Sequence, residues 1–143
     1  MKTKFNFRNV TQNLLIAVFA LFVSSELVAQ EKRSTELKDF KIIIKKTNEG
    51  IEMLSIEGSA WKTLSYNVNN EVPQAIDEYG MTELNKVSSL KDSNLADFLF
   101  TLTKTESGIT LKGIEGTVWT DLSFSLPEHG KQAIDQFGMI NQN

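Results

Sequence analysis

The sequence predicts a small all-β domain, and three observations carry that prediction. A unit of about 45 residues occurs twice, apolar and polar residues alternate with a period of two, and polar stretches with glycine separate the alternating runs. Between Leu37–Met81 and Leu95–Met139, 19 of 45 positions are identical at a constant offset of 58 residues. We therefore expect a sandwich or barrel of about eight strands, built from two four-stranded repeats with pseudo-twofold symmetry.

The domain boundaries follow from the repeats and from the amino terminus. Residues 1–29 combine a basic start, a ten-residue apolar run at Leu14–Val23 and a small residue before Gln30, which is typical of a cleaved secretory signal peptide. The apolar run is too short for a spanning helix, which needs about 20 apolar residues. We expect residues 30–143 to form one exported β domain, periplasmic or extracellular, comprising repeat 1 (37–81), a linker (82–94) and repeat 2 (95–139).

Charge and cysteine content narrow the classes of partner. The chain has 15 basic and 18 acidic residues, and removal of residues 1–29 leaves 12 and 17, so the exported part is acidic. Nucleic acids and anionic membranes are recognised by clustered lysine and arginine, and we expect neither as a partner, nor stable membrane insertion after signal cleavage. The chain has no cysteine. Without disulfides, the two repeats must share one packed core.

Each repeat opens with two strands joined by a hairpin. Apolar residues alternate with polar ones from Asp39 to Thr47 and again in the second copy, with an inner set of Phe40, Ile42 and Ile44, and then Phe98, Phe100 and Leu102. The turns that follow end in Gly50 and Gly108, for which we expect a positive φ. The second strands follow at Ile51–Glu57 and Ile109–Glu115.

A third and a fourth strand complete each predicted repeat. The third strands carry the alternating residues Leu64, Tyr66 and Val68, and then Leu122, Phe124 and Leu126. The fourth begins at Gln74 and ends in the pattern D-x-[YF]-G, which is typical of a type I turn. A helix over residues 73–84 is the alternative, which Gly80 disfavours. Asn67–Pro73 and Ser125–Lys131 share no residue, which indicates exposed loops.

Trp61 and Trp119 are the binding candidates. The frame G-x-x-W-x-x-L-S-[YF] places one tryptophan in each repeat, just after the glycine that closes the second strand. An exposed tryptophan on a secreted β domain can stack on a sugar ring or anchor a protein partner. The alternative, which the sequence favours, is that each ring fills the core at a tight corner.

Two pairs of duplicated carboxylates are the candidates for catalysis, Asp77 with Asp135 and Glu57 with Glu115. Two nearby carboxylates with different pKa values are the minimal acid–base apparatus of a hydrolase. An aspartate that opens a turn usually caps backbone N–H groups, however, and a glutamate before glycine commonly ends a strand. No cofactor or metal site is predicted, because cysteine is absent, His129 is the single histidine, and phosphate-loop and calcium-loop motifs are missing.

The pattern G-x-x-W-x-x-L-[ST]-[YF], followed by Q-A-I-D-x-[YF]-G-M, resembles the repeats of small, uncharacterised exported proteins of the Bacteroidota type. The resemblance covers both repeats, implies a bacterial envelope or secreted protein, and transfers no functional residue. From the residues, we expect a non-catalytic binding or interaction module for an unknown protein or glycan. Two alternatives remain open: a small hydrolase that uses the duplicated carboxylates, and a barrel that carries a small apolar ligand along Phe100, Leu111, Leu122 and Phe124.

Overall fold

The structure, a computed structural model, describes residues 37–85 and 91–142, which form an antiparallel β-sandwich. The all-β fold class predicted from the sequence is confirmed. The predicted signal peptide and residues 86–90 of the linker lie outside the described residues, so the prediction of export stays a prediction. Within the described ranges, no helix has the length and apolarity needed to cross a membrane.

Ten strands form two sheets of five. In chain order they are β1 (Lys41–Lys46), β2 (Gly50–Glu57), β3 (Thr63–Asn67), β4 (Pro73–Asp77), β5 (Gly80–Thr82), β6 (Leu99–Lys104), β7 (Gly108–Glu115), β8 (Asp121–Ser125), β9 (Lys131–Asp135) and β10 (Gly138–Ile140). Sheet A has the order β10-β9-β1-β2-β3, and sheet B has the order β5-β4-β6-β7-β8. Each repeat thus gives three strands to one sheet and two to the other, and the three-residue strands β5 and β10 add to the four predicted per repeat.

The core lies between the sheets and is made by the alternating residues of both repeats. Along β1, even-numbered residues are buried and odd-numbered residues are partly exposed, as the period of two predicts. Phe40 and Phe98 hold equivalent positions in the two repeats, and their ring centroids lie 4.6 Å apart. Because equivalent residues meet only near a symmetry axis, this contact marks the pseudo-twofold axis between the repeats.

The loops between the third and fourth strands carry the chain from one sheet to the other. They share no residue, yet Glu71 and His129 lie at equivalent positions with φ angles of 66° and 63°. The Glu71 N–H donates to the carbonyl of Lys104 at 2.8 Å, and the His129 N–H donates to the carbonyl of Lys46 at 2.7 Å. The two loops therefore have matching anchors, each fastened to the first strand of the other repeat.

The glycines at the hairpin ends correct one prediction. Gly50 and Gly108 do not have a positive φ, whereas Gly80 and Gly138 do, at 129° and 137°. A Cβ at Gly50 would collide with the carbonyl oxygen of Tyr66 on the neighbouring strand, and the second hairpin has the same crowding. Glycine is needed at these hairpin ends because the strands approach closely, not because the turn is left-handed.

Candidate functional site

The aspartates of the first carboxylate pair are turn caps. Asp77 Oδ1 accepts hydrogen bonds from the N–H groups of Tyr79 at 2.8 Å and Gly80 at 3.0 Å. Asp135 makes the same two bonds in the second repeat, at 2.8 Å and 3.0 Å. An aspartate with this geometry stabilises the β4–β5 or β9–β10 turn, which is the structural role that the sequence favoured.

The glutamates of the second pair lie on opposite sides of the molecule. Glu57 is opposite Lys41 in sheet A, in the row of residues that faces outward, and Glu115 is opposite Leu99 in sheet B. Both side chains are exposed. Because the outer faces of the two sheets point away from each other, this arrangement does not bring the two carboxylates together.

The two tryptophans join the sheets at the corners between the second and third strands. Trp119 is only 8% exposed and packs near Phe100, while Trp61 is partly buried against the same core. The Trp61 indole N–H donates to the carbonyl of Asp77 at 3.0 Å, and the Trp119 indole donates to that of Asp135 at 2.9 Å. This geometry supports the structural role and leaves Trp119 little surface for stacking on a ligand.

The repeated glutamine also has a structural partner. Gln74 Nε2 donates to the carbonyl of Thr82 at 3.2 Å, and Gln132 Nε2 donates to that of Ile140 at 3.0 Å. Each glutamine thereby provides a hydrogen-bond donor for the backbone carbonyl of the last residue of a short edge strand. In the Q-A-I-D-x-[YF]-G pattern, the glutamine, the aspartate and the glycine all stabilise the edge hairpin. The residues that differ between the repeats are therefore the better candidates for a binding site.

A polar cleft of about 700 Å³ opens at the end of the sandwich where the loops and the β1–β2 and β6–β7 hairpins meet. Its walls carry four amides, three carboxylates, two lysines and one valine: Asn48, Asn67, Asn69 and Asn70; Glu49, Glu106 and Glu128; Lys46 and Lys104; and Val68. Three of these amides belong to the loop of repeat 1, which shares no residue with the equivalent loop of repeat 2. The cleft is therefore built largely by the divergent segments.

Two buried lysines form the floor of this cleft. Lys46 is 3% exposed, and its Nζ donates to the carbonyls of Thr105 at 2.8 Å and Glu106 at 2.6 Å. Lys104 is 5% exposed, and its Nζ donates to the carbonyl of Asn48 at 3.1 Å. Within residues 37–85 and 91–142, neither ammonium group forms an ion pair. Each lysine thus crosses to the hairpin of the other repeat, where backbone carbonyls and not a carboxylate hold its ammonium group.

The alternation of the first strand indicates these lysines in the sequence itself. The alternation Phe40, Ile42, Ile44 continues to Lys46, and the matching series in repeat 2 continues to Lys104. A lysine at an inward position, kept in both copies, is unusual because a buried ammonium needs hydrogen-bond acceptors. The amides of the loop gave no comparable signal, because loop geometry does not follow from periodicity.

A smaller acidic hollow lies at the opposite end of the sandwich and contains Glu78, Asp97 and Lys91. Glu78 is 5% exposed. Its pKa is raised above the usual value, first by burial and then by the nearby charges of Asp77 and Asp97. Lys91 Nζ lies 3.0 Å from Asp97 Oδ2, and this contact raises the pKa of the exposed lysine.

Comparison with protein-family models, curated proteins and solved structures finds no match for the chain. In the described part of the chain, no three histidine or acidic residues are grouped so that they could hold a metal ion. The fold and the cleft define the class of protein: a β-sandwich of two repeats that exchange strands, with a polar cleft at one end.

Proposed function

We propose that the protein is an exported, non-catalytic binding module that takes a hydroxyl-rich glycan in the lysine cleft. The observation that carries the proposal is the mixed lining of the cleft, in which amides stand beside buried ammonium groups and exposed carboxylates. Lysine can only donate a hydrogen bond, a carboxylate can only accept one, and an amide does both. A hydroxyl group also does both, so a ligand with many hydroxyls matches all three kinds of wall.

The position of the cleft supports the same proposal. The motif residues that repeat are engaged in turns, corners and edge strands, whereas the loop of repeat 1 differs from its counterpart at every position. A rigid scaffold that presents a variable loop is a common arrangement in binding proteins. The catalytic alternative is less well supported, because both aspartates cap turns and both glutamates lie on opposite outer faces.

The experiment that tests this function is a glycan array, followed by NMR titration of the purified protein with any glycan that binds. We expect chemical shifts to change at the cleft, and Asn67→Ala to weaken binding by roughly tenfold through the loss of a hydrogen bond to the ligand. The matched control is Ser125→Ala, the equivalent position in the other loop, which does not line the cleft. Absence of glycan binding, or shifts confined to the tryptophan corners, would contradict the proposal.

A further inference from the structure

The outer faces of the two sheets differ, although their strands are equivalent. On sheet A, Ile43 and Leu54 lie directly opposite each other, and their counterparts on sheet B are Thr101 and Lys112. Leu54 is 41% exposed, so sheet A presents apolar surface to solvent at a place where sheet B presents a charge. Since sheet B folds without this apolar pair, the duplicated fold does not require it.

Charged residues flank the apolar pair in a regular order. The lysines of β1 lie opposite the glutamates of β2, and one of these pairs, Lys45 Nζ and Glu52 Oε2, is separated by 3.0 Å. The outward residues of each strand consequently have one sign of charge around an apolar centre: Lys41, Ile43 and Lys45 on β1, and Glu57, Leu54 and Glu52 on β2.

We propose that the outer face of sheet A is the interface of a homodimer, in which β1 of one copy lies over β2 of the second copy. The two copies are related by a twofold axis that runs parallel to the strands, between β1 and β2. Rotation about this axis sets Ile43 over Leu54 of the second copy and Lys45 over Glu52 of the second copy, and each contact occurs twice. The strands of the two facing sheets stay aligned, as in ordinary sheet-on-sheet packing.

A second copy fits this face better than a partner of strong charge. The outward positions of β9, β1 and β2 hold three lysines and three carboxylates, so the face is balanced although the chain is acidic: Lys41, Lys45 and Lys131, with Glu52, Glu57 and Asp135. A strongly acidic or strongly basic partner would meet repulsion from half of these groups. Sheet B has Thr103 and Thr110 at the positions of the Lys45–Glu52 pair and cannot form the same charge pairs.

The size of the face sets the strength of the dimer. Five strands spaced about 4.8 Å apart, each about five residues long, give a face of roughly 400 Å². A standard stable interface buries about 800 Å² per partner, so the dimer is weak and depends on concentration. This dimer is independent of the lysine cleft, which lies at the end of the sandwich and not on its face.

Sedimentation velocity on the purified protein from about 10 µM to 1 mM tests the dimer, a range that suits a weak interface. We expect the mass to rise towards that of two chains, and Leu54→Lys to raise the concentration required by at least about tenfold. This substitution copies Lys112 of sheet B, so it fits the fold. The matched control is Ile114→Lys, an exposed apolar residue of sheet B, which should leave dimerisation unchanged.

A charge exchange tests the axis itself. Lys45→Glu and Glu52→Lys each place two like-charged pairs across the axis and should each weaken the dimer. The double exchange restores opposite charges within each chain and across the axis, so it should restore dimerisation. A protein that stays monomeric throughout the concentration range, a dimer that is insensitive to Leu54→Lys, or a double exchange that fails to restore the dimer would overturn the proposal. If Leu54→Lys does not fold, the charge series decides alone.

Discussion

Gln136 and Glu78 occupy equivalent positions in the two repeats, and each lies beside an aspartate. Their interactions with that aspartate differ. Gln136 Nε2 donates to Asp39 Oδ1 at 2.7 Å, and Gln136 Oε1 accepts from the Phe40 N–H at 3.2 Å. In the other corner Glu78 accepts from the backbone of Phe98, but its other neighbour is Asp97, the counterpart of Asp39. A carboxylate has no proton to donate, so repulsion replaces the hydrogen bond when both acids are ionised.

The difference between Gln136 and Glu78 shows that conserved and divergent positions of the two repeats have different roles. Positions that are identical in both repeats, such as Asp77 and Asp135 or Trp61 and Trp119, make the same backbone contacts in both. Positions that differ change the chemistry at fixed geometry, as Glu78 does relative to Gln136. Substitutions that exchange residues between the repeats are therefore the sharpest probes of this protein, because the fold already accommodates each residue once.

The largest expected effect on stability comes from removing the two indole rings, one in each repeat. Trp119→Ala should lower the free energy of unfolding by about 3–5 kcal/mol, because it empties a buried site and removes the hydrogen bond to Asp135. Trp61→Ala should lower the free energy of unfolding by less, because that ring is only partly buried. Urea denaturation followed by circular dichroism measures both values. Equal losses at the two positions would contradict the difference in burial between the corners.

Much of the fold was predictable because it is written locally. The period of two identified the inner residues of β1 and β6, and the 58-residue offset identified the duplication. The exchange of strands between repeats was not predictable. β1 pairs with β9 rather than with β4, yet both partners carry the same Q-A-I-D segment. Pairing between distant strands depends on chain connectivity, which no local pattern encodes.

The candidate site was predictable only in part. The alternation Phe40, Ile42, Ile44 reaches Lys46 at its next inward position, so the buried lysines could have been predicted from the sequence. The matching shape of the two loops was not, because Glu71 and His129 adopt a positive φ without being glycine. That conformation is uncommon for such residues and is held here by hydrogen bonds to the strand of the other repeat. Tertiary anchoring, and not loop composition, sets this part of the site.

The next largest effect concerns Glu78, whose contribution to stability depends on pH. Glu78→Gln should restore the amide-to-carboxylate bond seen at Gln136 and raise the free energy of unfolding at pH 7 by about 1 kcal/mol. In the wild type, the folded state holds the Glu78 proton more tightly than the unfolded state, because the pKa of Glu78 is raised from 4.5 in the fold. The cost of Glu78 is therefore full at neutral pH and declines as pH falls through the raised pKa towards 4.5.

The measurement is urea denaturation of wild type and Glu78→Gln at pH 7 and pH 5, and the quantity that matters is the difference between the two proteins. It should be positive at pH 7 and smaller at pH 5. The groups around Glu78 are Asp77, Asp97 and Lys91, and they are the same in both proteins. Gln136→Glu is the reciprocal variant and should be destabilising at pH 7 and less so at pH 5. A difference that does not change with pH would refute this account of the corner.

The smallest effect concerns a single hydroxyl group. Tyr66 and Phe124 are equivalent residues that pack against the core, and the buried Tyr66 hydroxyl has no hydrogen-bond partner in the described part of the chain. Burial raises the pKa of this phenol well above its usual range, which keeps it neutral at all pH values where the protein is handled. An unpaired buried hydroxyl costs free energy, because it loses its bonds to water and gains none.

Tyr66→Phe should therefore leave the free energy of unfolding unchanged or raise it by up to about 1 kcal/mol, and the reciprocal Phe124→Tyr should lower it. Thermal melts of the two variants check the signs. A clear loss of stability in Tyr66→Phe would mean that the hydroxyl has a partner, and would make this position a genuine difference in bonding between the repeats.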